Sequence, residues 1–376
     1  MAIENVVSTP SMKAGRQANF ELLRILSMAM VVVLHFLDHG NVLDNSTFGT
    51  VEYAVFWLIR AAAYPGVNCF VMLTGYFMIS SKAKPSKLLG FVVQVLFYSA
   101  LCFFIAIFLG EELSFTTLRS SFFPLTSKTY WFATVYALLY LAIPLLNRLI
   151  LGMTKSQHLL WLGILLVVYS VIPTFAWWSR DYLSKGNNLI WFVILYMTAA
   201  YIRLYGIKLS NVKWLLGYLG ATVGLLLSNL LIASATCRFF GQVKSASLFY
   251  LNNTIFVYVS AVCLFCLFKE LKMSNKMLTK LIVSVAPFSF GVYLLHENPL
   301  LRERLWAFVN ASRFMGGRWD VFLTLLYMCG IILAFFIVAV ALTMVYKLFY
   351  YILKPIEKRI DVGMNKIIVK INGDTF

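Results

Sequence analysis

Apolar residues along the chain gather into ten runs, at 22–37, 53–79, 88–109, 130–150, 158–177, 189–206, 214–233, 249–268, 281–296 and 321–346. A bilayer core takes about 17–25 helical residues. Eight runs meet that length, whereas the first and ninth have sixteen residues each and need flanking residues to span. The second run is long and is interrupted by Pro65-Gly66, which predicts a kinked or partly unwound helix. Such backbone is tolerated at membrane depth where it is buried in protein or lines a cavity. The pattern predicts an all-α, polytopic membrane protein with about ten transmembrane helices. It divides the chain into a polar N-terminal tail (1–19), a membrane domain (20–346) and a basic C-terminal tail (347–376). Between the last two runs, residues 297–320 place Leu300, Leu301, Leu305, Trp306 and Phe308 among charges. This predicts a short amphipathic helix on the outer surface.

Composition agrees. Apolar residues make up 61% of the chain and charged residues 12%, against about 25% charged in a soluble domain. Too little polar surface remains for a soluble enzyme, and a disordered or fibrous chain is excluded on the same ground. The net charge of +17 points to topology before it points to nucleic acid, and no nucleic-acid partner is expected. With the N-terminus inside, the inner segments hold 20 Lys and Arg residues (Lys13, Lys82 and Lys269 among them) and the outer segments 10 (Arg180, Arg302 and Arg318 among them). That bias predicts both termini in the cytoplasm and a multi-pass protein of the cell membrane, with the lipid bilayer as its constant partner. The polar tail raises the question of a signal peptide, but the first run lacks an A-x-A-like cleavage site and carries an Arg and a His, so it reads as a retained helix. Trp131, Trp177, Trp178, Trp191, Trp214 and Trp319 fall at run ends, where an interfacial belt would place them. Cys263-x-x-Cys266 lies in an apolar stretch with no second pair and reads as packing, so no metal is expected.

The informative residues are polar ones inside runs. Arg24 and His35 lie eleven positions apart on the first run, within about 20° of three full turns. They share a face and are separated by about 16 Å along the axis. Glu21 and His39 fall near the same line and Asp38 somewhat off it. An ionisable seam inside a bilayer is costly. One reading makes Glu21 and Arg24 an interfacial i,i+3 pair and His35 a hydrogen-bonded core residue. The other makes the seam chemical: a cation near the cytoplasm holds an anionic donor, and a deeper imidazole accepts a proton near neutral pH. Arg60, in the second run, has no evident partner in sequence. His158, which opens the fifth run on the inner side, is expected to be solvated.

These residues also carry a family resemblance. The Arg-x10-His spacing on the first crossing resembles the signature of the bacterial acyltransferase-3 family, integral-membrane enzymes that O-acylate cell-surface glycans. The stretch Gly66 to Tyr76, with Asn68 and the Thr74-Gly75-Tyr76 element, resembles the family's second-crossing pattern. Trp131-Phe132, Tyr136 and Pro144-Leu145-Leu146-Asn147 resemble its fourth crossing, and Ser289-Phe290-Gly291-Val292-Tyr293-Leu294-Leu295-His296 its late segment. The similarity runs from about residue 18 to about 345, with four motifs in order. It departs in two places. Thr74 replaces the usual Ser and keeps the hydroxyl. Lys84-Pro85-Ser86-Lys87 stands where many members have two arginines, so phosphate meets point charges and no bidentate fork.

The resemblance implies acyl transfer from an acyl-CoA, acetyl-CoA by default, to a sugar hydroxyl of a surface polysaccharide or its lipid-linked precursor. No permanently bound cofactor is implied. In that scheme His35 is the general base, with a covalent acyl-histidine as the alternative. Arg24, with Lys84 and Lys87, binds the donor. Asp38 orients the imidazole or faces the acceptor, while His296 and Tyr136 belong to the acceptor side. Polysaccharide-assembly proteins are possible partners. The competing class is a transporter, flippase or polymerase of the same envelope pathway, which broken helices would suit. Such a protein has no need for an Arg and a His in register on one helix.

Overall fold

The computed structural model describes residues 16–176, 178, 185–317 and 319–373, and within them it is helical with no strand. Lys13, Trp177, Arg180 and Arg318, together with most of the N-terminal tail, lie outside the described residues. In chain order the helices begin with α1 (Ala18–Asp38), α2 (Val51–Ala63), α3 (Gly66–Met78), α4 (Pro85–Phe108) and α5 (Phe115–Phe122). Next come α6 (Trp131–Leu151), α7 (Lys155–Leu166), α8 (Ile172–Phe175), α9 (Leu189–Tyr205) and α10 (Asn211–Phe240). The last are α11 (Ile255–Lys269), α12 (Lys276–Val285), α13 (Ser289–His296), α14 (Pro299–Val309) and α15 (Asp320–Gly373). Among the described residues eight helical segments are long and apolar enough to cross a membrane. Two of the ten runs form shorter apolar helices, α9 and α11. The protein is a multi-pass membrane protein.

Helix α1 sits centrally and packs against α2, α3, α11, α12, α13 and α15. Its apolar stretch is 61% buried, against 22% for α10 and α15, so α1 lies inside the bundle and the two long helices form the rim. The second run breaks as its Pro65-Gly66 pair predicts: α2 ends at Ala63 and α3 starts at Gly66. A Cβ on Gly66 would lie 2.8 Å from the Ser27 carbonyl oxygen, so glycine there also lets α3 approach the backbone of α1. Gly75 does the same against α9, where a Cβ would lie 2.6 Å from the Tyr196 carbonyl oxygen. The ninth run is likewise broken, with a 3-10 turn at Ala286–Phe288 between α12 and α13. Lys155–Phe175 forms one span through a π-helical turn at Val167–Val171.

Two expectations are corrected. Trp191 and Trp214 stand in the first turns of α9 and α10 but are buried in the bundle, Trp191 against Asn68 and Tyr258; Trp319 and Trp178 are exposed as a belt requires. His158 is fully buried, with Nε2 3.1 Å from the Met197 carbonyl oxygen and its ring edge-on to Tyr201 and Tyr205. It stabilises the α7–α9 contact and is not solvated. Within the basic C-terminal stretch, residues 347–373 continue α15 as helix to Gly373. The amphipathic helix expected in 297–320 is α14, which buries Trp306 and Val309 and exposes Phe308.

Candidate active site

His35 occupies the last turn of α1 and meets the end of α13. Its Nδ1 lies 2.8 Å from His296 Nε2. His296 Nδ1 is in turn 2.6 Å from the Val292 carbonyl oxygen, an acceptor only, so that nitrogen carries a proton. In a neutral His296 the Nε2 is then the acceptor, and His35 Nδ1–H must donate to it. His35 Nε2 is left with its lone pair. One backbone carbonyl therefore fixes two imidazole tautomers in sequence, the relation by which a second group sets which nitrogen of a catalytic histidine is basic.

Glu297 completes the cluster from the residue after α13. Its Oε1 lies 3.4 Å from His35 Nδ1 and 3.2 Å from His39 Nε2, and its Oε2 lies 3.7 Å from Arg302 Nη1. The carboxylate is 9% exposed, and Oε1 makes no well-aligned hydrogen bond. It acts on the imidazoles through charge. Burial alone would raise the Glu297 carboxyl, but the neighbouring His35, His39 and His296 outweigh that and hold it below the ordinary carboxylate range. It stays ionised at neutral pH and is placed to stabilise an imidazolium at His35.

The same three residues offer His and Glu atoms of metal-ligating type, all within 4.8 Å of one another. Two nitrogens bound to one tetrahedral zinc at its usual bond lengths stand about 3.3 Å apart. The 2.8 Å between His35 and His296 is the length of a direct hydrogen bond, and the cluster reads as a proton relay.

Arg24, about half the length of α1 away, has local partners. Its Nε donates to Glu21 Oε2 at 3.2 Å, and its guanidinium lies 5.5 Å from the centre of the Phe70 ring. An aromatic path leads onward: Phe70 packs edge-on to Phe132, Phe132 to Tyr293, and Tyr293 to His296. Tyr136 stacks on Phe132 and shares a 3.1 Å hydrogen bond with Thr74 Oγ1. The Thr74 hydroxyl thus ties α3 to α6.

The other motif residues of the second crossing hold the bundle together. Asn68 is fully buried; it donates to the Asn252 carbonyl at 2.8 Å and accepts from Trp191 Nε1 at 3.1 Å. Tyr76 accepts from Arg203 Nη1 at 3.3 Å, with that guanidinium 5.0 Å from its ring centre. Asn147 works similarly, accepting from Tyr196 and donating to the Met78 carbonyl. Lys84 and Lys87 are exposed at the start of α4. The Tyr140 hydroxyl clasps the Lys84 backbone, accepting from its N–H at 3.0 Å and donating to its carbonyl at 3.1 Å.

Asp38 does not contact the His35 imidazole. Its Oδ2 accepts from Arg60 Nη2 at 3.1 Å, which also supplies the partner that Arg60 lacks in sequence. The carboxylate beside His35 is Glu297, which sequence reasoning missed: it is adjacent to a motif histidine, and nothing along the chain says that α13 ends against α1. His39 was placed near the seam by periodicity, and the structure gives it a partner there. Cys263 and Cys266 are buried free thiols, and Cys263 Sγ packs against Gly217.

The fold and the cluster together describe a multi-pass membrane protein whose crossing helices enclose one histidine-centred polar site. The acyltransferase-3 family, described as an acyltransferase domain, matches residues 17–344, and the chain belongs to it. It is a membrane acyltransferase, and the transporter reading gives way. No curated protein and no solved structure matches the chain.

Proposed function

We propose that the protein transfers an acetyl group from acetyl-CoA to a hydroxyl of a surface polysaccharide or its lipid-linked precursor, across the cytoplasmic membrane. The observation that carries this reading is the relay itself: His35 Nδ1 is occupied by His296 Nε2 at 2.8 Å, leaving Nε2 as the base. In the step, the acceptor O–H proton passes to His35 Nε2 as its oxygen forms a bond to the thioester carbonyl carbon. Collapse breaks the C–S bond, and the imidazolium returns the proton to the departing thiolate. Glu297 stabilises the imidazolium between those events. Arg24 stands about 16 Å from His35 along α1, a separation that suits a long donor: phosphates toward Arg24, Lys84 and Lys87, thioester toward His35. The charge bias supports a cytoplasmic position for both termini, an orientation in which the basic end faces the side where acyl-CoA is made. Partners from polysaccharide assembly would deliver the acceptor.

The test is the O-acetyl content of surface glycan, by proton NMR, in a deletion strain carrying wild type, His35→Ala or Arg24→Lys, with membrane levels checked by immunoblot. Wild type restores the ester signals and a normally inserted His35→Ala does not. Acetylation by His35→Ala equal to wild type refutes the assignment of the base; acetylation that never depends on the protein refutes the activity.

A further inference from the structure

Two clefts open at the end of α1 that carries His35, and Asp38 lines both. The first, about 370 Å³, is formed by His39, Asn41, Arg302, Trp306 and Asn310 beside Asp38. The second, about 460 Å³, lies across Asp38 and is formed by Asp44, Phe48, Tyr53, Trp57 and Arg60, with Ser247 on its rim. Each has the size of a small-molecule site, and each mixes rings with directional polar groups as such sites do. The dividing wall is held in place. The Arg60 guanidinium lies 4.9 Å from the Trp57 ring centre and 5.4 Å from that of Tyr250, and it binds one oxygen of Asp38. The side chain of Asp38 is 37% exposed, so its other oxygen can accept from a ligand. Trp57 Nε1 is buried without a hydrogen-bond partner.

The clefts differ in their link to the chemistry. His39, in the first, is 3.2 Å from the Glu297 oxygen that faces His35. The second has no such link and joins the first only through Asp38. We infer that the acceptor is a glycan chain of at least two sugars that binds across both clefts, the sugar to be acylated in the first and its neighbour in the second. This rests on the acyl-transfer reading above. Two carboxylates against one guanidinium in the second cleft disfavour an acidic sugar there. Its occupant is a neutral hexose or a hexosamine, packed on Phe48 and hydrogen-bonded to Asp38 and Asp44.

The experiment uses full-length protein in nanodiscs, acetyl-CoA, and fragments from a monosaccharide to a hexasaccharide of the source cell's O-deacetylated surface polysaccharide. The acceptor KM falls about tenfold once a fragment covers both clefts, the effect of one or two well-made polar contacts. Ser247→Trp, which fills the second cleft from an exposed position, raises the KM of the long fragment about tenfold, and Phe48→Ala raises it without adding bulk. The KM for acetyl-CoA moves less than twofold in both. An acceptor KM independent of length, or a long-fragment KM untouched by both substitutions, overturns the two-cleft inference and leaves acyl transfer standing. Failure of the wild type to acetylate any fragment overturns the acyl-transfer reading itself.

Discussion

The two ends of α1 carry the same kind of residue and are built differently. At the Arg24 end the partner is Glu21, three positions away on the same helix, and the pair is 30% and 13% exposed. At the His35 end the partners are His296 and Glu297, 261 and 262 positions away, brought in by the close of α13. A local pair tolerates displacement of its helix. A long-range relay holds only while α1 and α13 keep their packing, and it holds the imidazole in one tautomer while they do. Under the proposed mechanism the difference separates a binding function, where charge and reach suffice, from a proton-transfer function, where geometry within tenths of an ångström decides the rate.

Substitutions at the two ends should therefore fail differently. Short of removing His35 itself, the largest effect is expected at Glu297→Gln, which keeps the shape and removes the charge facing His35. We expect kcat to fall about 10- to 100-fold, the scale of one close charge in a partly desolvated site, with the KM for acetyl-CoA little changed. Steady-state acetylation in nanodiscs measures both. Arg24→Lys is expected to act on binding, raising the KM for acetyl-CoA about three- to tenfold through loss of the guanidinium fork while kcat holds. If Arg24→Lys lowers kcat as much as Glu297→Gln does, the distinction between the ends collapses.

Two smaller effects sharpen it. Asn68→Ala strands the buried Trp191 Nε1 and should cost about 1–3 kcal/mol of stability, read as a lowered melting temperature with the activity of the surviving folded protein retained. The pH dependence of stability follows from Glu297. Its folded carboxyl is lowered from an ordinary 4.5, so its contribution is complete above that value and is lost as the pH falls through the folded one. The melting temperature of wild type should drop between pH 6 and pH 3, and that of Glu297→Gln should drop less over the same interval.

The same contrast explains what the chain discloses before folding. The ten runs, the break at Pro65-Gly66 and the shared face of Arg24 and His35 are local or periodic features, and all reappear as helices or helix faces. The pairing of Arg24 with Glu21 is local too. Partners across the bundle have no such signal. Asp38 is three residues from His35 yet binds Arg60; Glu297 is remote and lies beside His35; His158 sits at a run boundary and is buried by α9. The second-crossing motif illustrates a further limit. Asn68, Gly75 and Tyr76 stand out in sequence, but only the structure shows that they fasten α3 to its neighbours and do not face the histidines.

The central claim is that His35 Nε2 is the base. Single-turnover acetyl transfer by the full-length protein in nanodiscs, wild type against His35→Ala with acetyl-CoA binding measured on the same samples, tests it most directly. The transfer rate should fall about 10²- to 10⁴-fold while acetyl-CoA affinity stays within about threefold, the donor being held at the Arg24 end. A His35→Ala protein that binds acetyl-CoA and transfers acetyl within twofold of the wild-type rate contradicts it.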